Sequence, residues 1–253
     1  MIGLSSHQTS ARCLASAWDA LTTRRSVRYV VTASKRRFSV RLAIISCLFG
    51  MTVTPVAFAQ IPGRCEVPVS EGAQEAGCYL TATQPIETMP AGPIYWHLYT
   101  YPTRTAAEAV KGPNGVVVES FGKVWRYTIA LQGWHPSSGE RVAVIGPLPI
   151  VSGRSYIARY MEALFTAGMH AAVHTHSGPE AWYLVSGTQC LETPGDAKIA
   201  HAGDSAVIDE GPPMALSSVG GETRRSVLLV LHDSSKPWIT LTHDWQPQGL
   251  CPK

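Results

Sequence analysis

The sequence predicts an all-β protein, a sandwich or barrel of short strands. Beyond residue 93, segments rich in Val, Ile, Thr, Tyr and Trp recur at intervals of about 8–12 residues, set off by Gly, Pro and Ser. Only one short stretch reads as helix. Strands do not alternate with helical segments, which argues against a doubly wound nucleotide-binding fold.

Along the chain, residues 60–93 are rich in Pro, Gly, Ala and Glu and predict an irregular arm. Ile94–Tyr101 is aromatic and β-prone. Thr105 to Lys111 predicts a short capped helix, and Gly112-Pro113-Asn114-Gly115 a turn. Strands are expected at Val116–Glu119, Val124–Leu131, Val142–Val144, Tyr156–Phe165, Val173–His176, Ala181–Val185, Cys190–Thr193, Ser205–Ile208, Ser226–Leu231 and Trp238–Thr242.

Of the 253 residues, 45% are apolar and 15% charged, enough for a packed core. The net charge of +3 is unevenly spread: residues 1–59 carry 8 Lys+Arg against the single acid Asp19, which leaves 13 basic and 17 acidic residues beyond. A body with net negative charge disfavours nucleic-acid binding. In the basic front segment, Lys35-Arg36-Arg37 precedes an apolar run over residues 42–53, then Pro55 and the small pair Ala57 and Ala59. This is the pattern of a secretory signal cleaved before Gln60. The run is short of the roughly 20 apolar residues a membrane span requires. The expected product is periplasmic or secreted, without stable membrane insertion.

Four cysteines follow residue 60, and an oxidising compartment favours disulfides. The local pair Cys65–Cys78 is expected, with Cys190–Cys251 as the second. The alternative for Cys190 is a buried free thiol within a strand. There is no Cys-x-x-Cys, Gly-x-Ser-x-Gly, phosphate loop or His-Glu-x-x-His.

The chemistry lies in Gly168 to Gly187. His174 and His176 are two apart, so on a strand they face one side, with Cα atoms about 6.6 Å apart. The turn Ser177-Gly178-Pro179 returns Glu180 beside them. Two neutral imidazoles and a carboxylate suit Fe, Mn, Ni, Cu or Zn in the divalent state and leave coordination positions open. Trp182 shares the parity of Glu180 and is a candidate wall for a ligand, or simple core. Tyr160, on the strand leading in, is a candidate to pack over the pocket.

Gly168, His174, His176, Glu180 and Gly187 match the spacing of the first motif of the cupin superfamily, which this segment resembles. The second motif is matched at Gly203 and Gly211. It departs where Asp209 replaces Pro, Met214 replaces the third His and Ser218 replaces Asn. The resemblance covers roughly residues 155–235 and implies an all-β, cupin-type double-stranded β-helix, a jelly-roll barrel, with an N-terminal β-rich extension. The expected division is 1–59 for export, 60–150 for the disulfide-stapled arm and extension, and 151–253 for the barrel and tail. Three readings of Met214 stay open: it lines a three-ligand metal site, it is a fourth ligand that favours copper, or it is packing in a barrel without metal. The resemblance implies oxygenase, isomerase or lyase chemistry on a small molecule. The other expectation is a metal-free binding or sensing module without turnover. Edge strands also allow a homodimer.

Overall fold

A computed structural model describes residues 59–60, 65–71 and 75–252. Apart from Ala59, the export segment expected over residues 1–59 lies outside them. Among the described residues, no helix is long and apolar enough to cross a membrane.

Two five-stranded sheets form a double-stranded β-helix. In the first, β1 (Ala59–Gln60), β8 (His170–Ala171), β14 (Ala215–Val219), β11 (Thr188–Thr193) and β12 (Asp196–His201) are neighbours in that order. In the second the order is β13 (Ser205–Ile208), β10 (Glu180–Ser186), β15 (Arg224–Asp233), β7 (Tyr156–Phe165) and β2 (Gly77–Ile86). A two-stranded ribbon joins β9 (His174–His176) to β16 (Ile239–Leu241). A third sheet, β4 (Gly115–Ser120), β5 (Lys123–Leu131), β3 (Ile94–Tyr101) and β6 (Glu140–Ile145), is a single antiparallel layer.

Strand parity sorts the side chains into two cores. Met161, Ala163 and Phe165 of β7 point into the barrel, with Trp182, Leu184, Leu216, Leu228 and Val230. Tyr156, Ala158 and Tyr160 of the same strand point the other way, onto Trp96, Trp125 and Tyr127 of the third sheet. The second sheet is therefore covered on both faces. This explains why Val227-Leu228-Leu229-Val230-Leu231 of β15 is a continuous apolar run rather than an alternating one.

The observed strands match the expected segments closely from Ile94 onward, but several elements differ. Residues 60–93 are not wholly irregular: β2 pairs with β7 from Gly77↔Leu164 to Ile86↔Tyr156. It is an edge strand, which is where a residue such as Pro85 is tolerated. A boundary at residue 150 therefore does not separate barrel from extension, since β2 completes a barrel sheet and the third sheet packs on that sheet's outer face. β12 and β14 are also strands that alternation did not reveal, because one is polar and the other follows Pro212-Pro213. The helix spans only Arg104–Glu108, its first turn capped by the Thr103 hydroxyl, which accepts from Ala106 N at 3.2 Å.

The C-terminal tail is fastened to the barrel. Cys190 on β11 is bonded to Cys251, with Cα atoms 5.8 Å apart. The buried Glu192 carboxylate accepts from Gln248 N, and from Gly249 N at 3.1 Å. Cys65–Cys78 ties the arm to β2. Closing a 61-residue separation removes roughly 4 kcal/mol of chain entropy from the unfolded state at 25 °C. The double variant Cys190→Ser/Cys251→Ser is expected to lose a large part of about 4 kcal/mol of unfolding free energy in a urea titration. An unchanged midpoint would show that the tail is held by its other contacts alone.

Candidate metal centre

β9 is three residues long and is positioned from both sides. On one side β16 pairs with it, Ile239↔His176 and Leu241↔His174. On the other, His174 and Met214 exchange two backbone bonds, His174 N to Met214 O at 3.2 Å and Met214 N to His174 O at 2.9 Å. His174 and His176 project to the same side, with ring centroids 4.8 Å apart. The chain then reverses through Ser177-Gly178-Pro179. β15 holds this turn, as Leu231 N donates to Pro179 O and Asp233 N to Ser177 O, both at 3.0 Å. Gly178 is required here, because a Cβ would lie 2.0 Å from the Leu231 carbonyl oxygen. The reversal delivers Glu180 to β10 facing the barrel interior.

The three side chains are buried, and one donor atom from each lies within 4.8 Å of the others. The imidazoles are oriented by their rear nitrogens. His174 Nδ1 donates to Ala172 O and His176 Nδ1 to Trp238 O, both at 2.7 Å. A carbonyl can only accept, so both Nδ1 atoms carry hydrogen and both Nε2 atoms are free to present a lone pair. His176 Nε2 stands 3.2 Å from Glu180 Oε2, and that oxygen has no other partner. Two lone pairs facing one another out of water require a cation between them, either a second proton on His176 or a metal ion. An ion about 2.1 Å from each donor would draw the donors to about 3.0–3.5 Å apart. The His176–Glu180 pair is already at that spacing, and the widest pair needs to close by roughly 1–2 Å.

Burial, then the proximity of His176, pushes His174 below its ordinary value and favours the neutral, ligating form. Burial by itself would raise Glu180. The contact with His176 and the nearby His174 and Arg224 outweigh it, so the carboxyl sits below its ordinary range. A cavity of about 50 Å³ adjoins these groups, room for about three or four waters. Its wall is mainly apolar, including Met161, Phe165, Leu216, Leu228 and Val230, with the Cys65–Cys78 bridge, Trp238 and Arg224.

The structure brings His174, His176 and Glu180 together and sets Met214 beside His174 on the same strand face, fully buried in the barrel core. Trp182 faces the barrel interior but packs in the core away from the cavity wall. Tyr160 does not pack over the pocket. It lies on the opposite face of the second sheet, stacked on Tyr127 at 5.3 Å, because its even position on β7 points to the third sheet. Two residues that spacing did not single out belong to the site. Trp238 holds His176 through its carbonyl and stacks on its ring at 5.6 Å. Arg224 is a buried cation on the cavity wall.

No protein-family model matches this chain, and no curated protein matches it. Similar solved structures include a cupin superfamily protein from Desulfitobacterium hafniense, 13% identical, with a TM-score of 0.29 over 34% of this chain and 74% of that one. A DMSP lyase from Ruegeria pomeroyi is 17% identical, with a TM-score of 0.31 over 36% of this chain and 45% of the lyase. A conserved protein with a double-stranded beta-helix domain from Klebsiella pneumoniae is 21% identical, with a TM-score of 0.31 over 38% and 90%. At these levels the fold stands on the strand order and register of the chain itself.

Burial lowers His97, His174 and His232 below their ordinary value. The folded state therefore takes up protons at lower pH than the unfolded chain, whose histidines titrate near 6.5. Stability is fully present above about pH 6.5 and is lost as pH falls toward the folded-state values. The thermal midpoint of metal-free protein should be flat from pH 8 to 7 and fall between pH 6.5 and 5, by about 2–4 °C per kcal/mol lost. A midpoint that holds or rises across that window would contradict the neutral assignment of these rings.

Proposed function

We propose that this chain is an exported cupin barrel that holds one divalent transition metal ion on His174, His176 and Glu180 and binds a small organic molecule beside it. The observation that carries this reading is the arrangement of lone pairs. Both Nδ1 hydrogens are committed to backbone carbonyls, His176 Nε2 faces a buried Glu180 oxygen that has no other partner, and a His174 ring nitrogen lies within 4.8 Å of both groups. A proton could serve the His176–Glu180 pair alone. The presence of His174 as a third donor residue within 4.8 Å favours a metal.

Each protein group has a distinct part. The imidazoles supply two neutral donors held in one tautomer, and Glu180 supplies the charge. Met214 pairs with His174 through the backbone and buries its soft, weakly ligating thioether in the barrel core, and the three other side chains are the binding set. The apolar cavity wall limits water beside the site. When bound, the ion supplies Lewis acidity or redox capacity at its open positions. Export fits the signal-like pattern ending at Ala59 and the two cysteine pairings, which suit an oxidising compartment.

Elemental analysis of untagged protein tests the reading. Wild type should carry about one ion per chain, His174→Ala, His176→Ala and Glu180→Gln less than about a tenth of that, and Met214→Leu close to the wild-type content. A metal-free wild type that still binds small molecules would turn the assignment to a binding module without a metal. Loss of the ion in Met214→Leu would make the thioether a ligand.

A further inference from the structure

Arg224 opens β15 and lies opposite Phe165 of β7 in the register. Its side chain is fully buried. The guanidinium rests on the Phe165 ring, 4.6 Å from the centroid, and Nη2 donates to Ser226 Oγ at 2.6 Å. Nε and Nη1 are buried and donate to nothing. Among the described residues, no carboxylate forms an ion pair with Arg224. The residue lines the same cavity as His174, His176 and Glu180. An arginine left with two unused donors out of water is costly unless a ligand meets them.

The charge balance of the cavity points the same way. Glu180 is the acidic group nearest in effect, and its field supports the arginine's charge against burial. Once Glu180 is bound to an ion, that negative charge is spent. The cavity then contains a divalent centre and a guanidinium without a counter-charge. Either unused donor, taken with the second hydrogen of Nη2, gives a guanidinium edge that matches the two oxygens of a carboxylate. The cavity is small, about 50 Å³, which suits a short molecule.

We propose that Arg224 anchors the carboxylate of the ligand, so that this site takes a short carboxylic acid whose neighbouring oxygen faces the metal position. The assignment rests on the metal reading given above. It places the acid group against β15 and the β7 edge of the cavity, with the reactive oxygen turned toward β9.

Calorimetry with lactate and its neutral analogue lactamide tests this. Titrations use metal-loaded wild type and the Arg224→Gln and Arg224→Lys variants, each checked for metal content and melting temperature. Wild type should prefer lactate by about tenfold or more. Arg224→Gln should lose that preference by weakening lactate alone, and Arg224→Lys, which keeps the charge but not the fork, should fall between. Should the variants fail to fold, the wild-type comparison of lactate with lactamide decides the matter. Equal binding of the two, no binding of either at millimolar concentration, or unchanged lactate affinity in folded Arg224→Gln overturns the proposal. A wild type that takes up no metal sinks the metal reading by itself. If such protein still prefers lactate through Arg224, the carboxylate anchor stands without it.

Discussion

The site depends on the pinning of a three-residue strand. β9 has too few backbone bonds to fix itself, and its position comes from the exchange with Met214 on one side and from β16 on the other. The same tail that supplies β16 also supplies the Trp238 carbonyl that sets the His176 tautomer. Orientation of the imidazoles is thus a long-range property. It joins residues 174–176 to residues 214 and 238–241, and the tail is in turn tethered by Cys190–Cys251 and the Glu192 carboxylate. A donor set built this way is preorganised: its rear hydrogens are satisfied before any ligand arrives.

The rest of the fold makes the platform rigid. The second sheet carries Glu180 and Arg224 on its inner face and is packed on its outer face by the third sheet, through Trp96, Trp125, Tyr127 and Tyr160. Buried charges are tolerated where they find partners. The imidazoles, carboxylate and guanidinium around one small cavity supply the means for that here.

The triad was legible in the sequence because it is local. Parity on a strand puts His174 and His176 on one side, and a Ser-Gly-Pro turn returns Glu180, with no knowledge of the fold needed. The side to which Tyr160 points is not legible, because β7 is buried on both faces. Apolar character then does not say which parity faces the barrel, and Tyr160 fell to the third sheet while Met161 took the cavity side. β2 was hidden in a Pro- and Gly-rich arm, where an edge strand's weaker pattern is hard to separate from loop. Trp238 and Arg224 were not legible as site residues, since they reach the cavity through pairings of β16 with β9 and of β15 with β7 that no local spacing encodes.

The central claim is that three named atoms share one ion. Anomalous scattering from crystals of the metal-loaded protein, collected on both sides of the metal's absorption edge, tests it most directly. The account predicts a single strong peak about 2.0–2.2 Å from His174 Nε2, His176 Nε2 and a Glu180 carboxylate oxygen. A peak elsewhere, or an ordered His176–Glu180 pair joined by a proton with no anomalous signal between the rings, would contradict it.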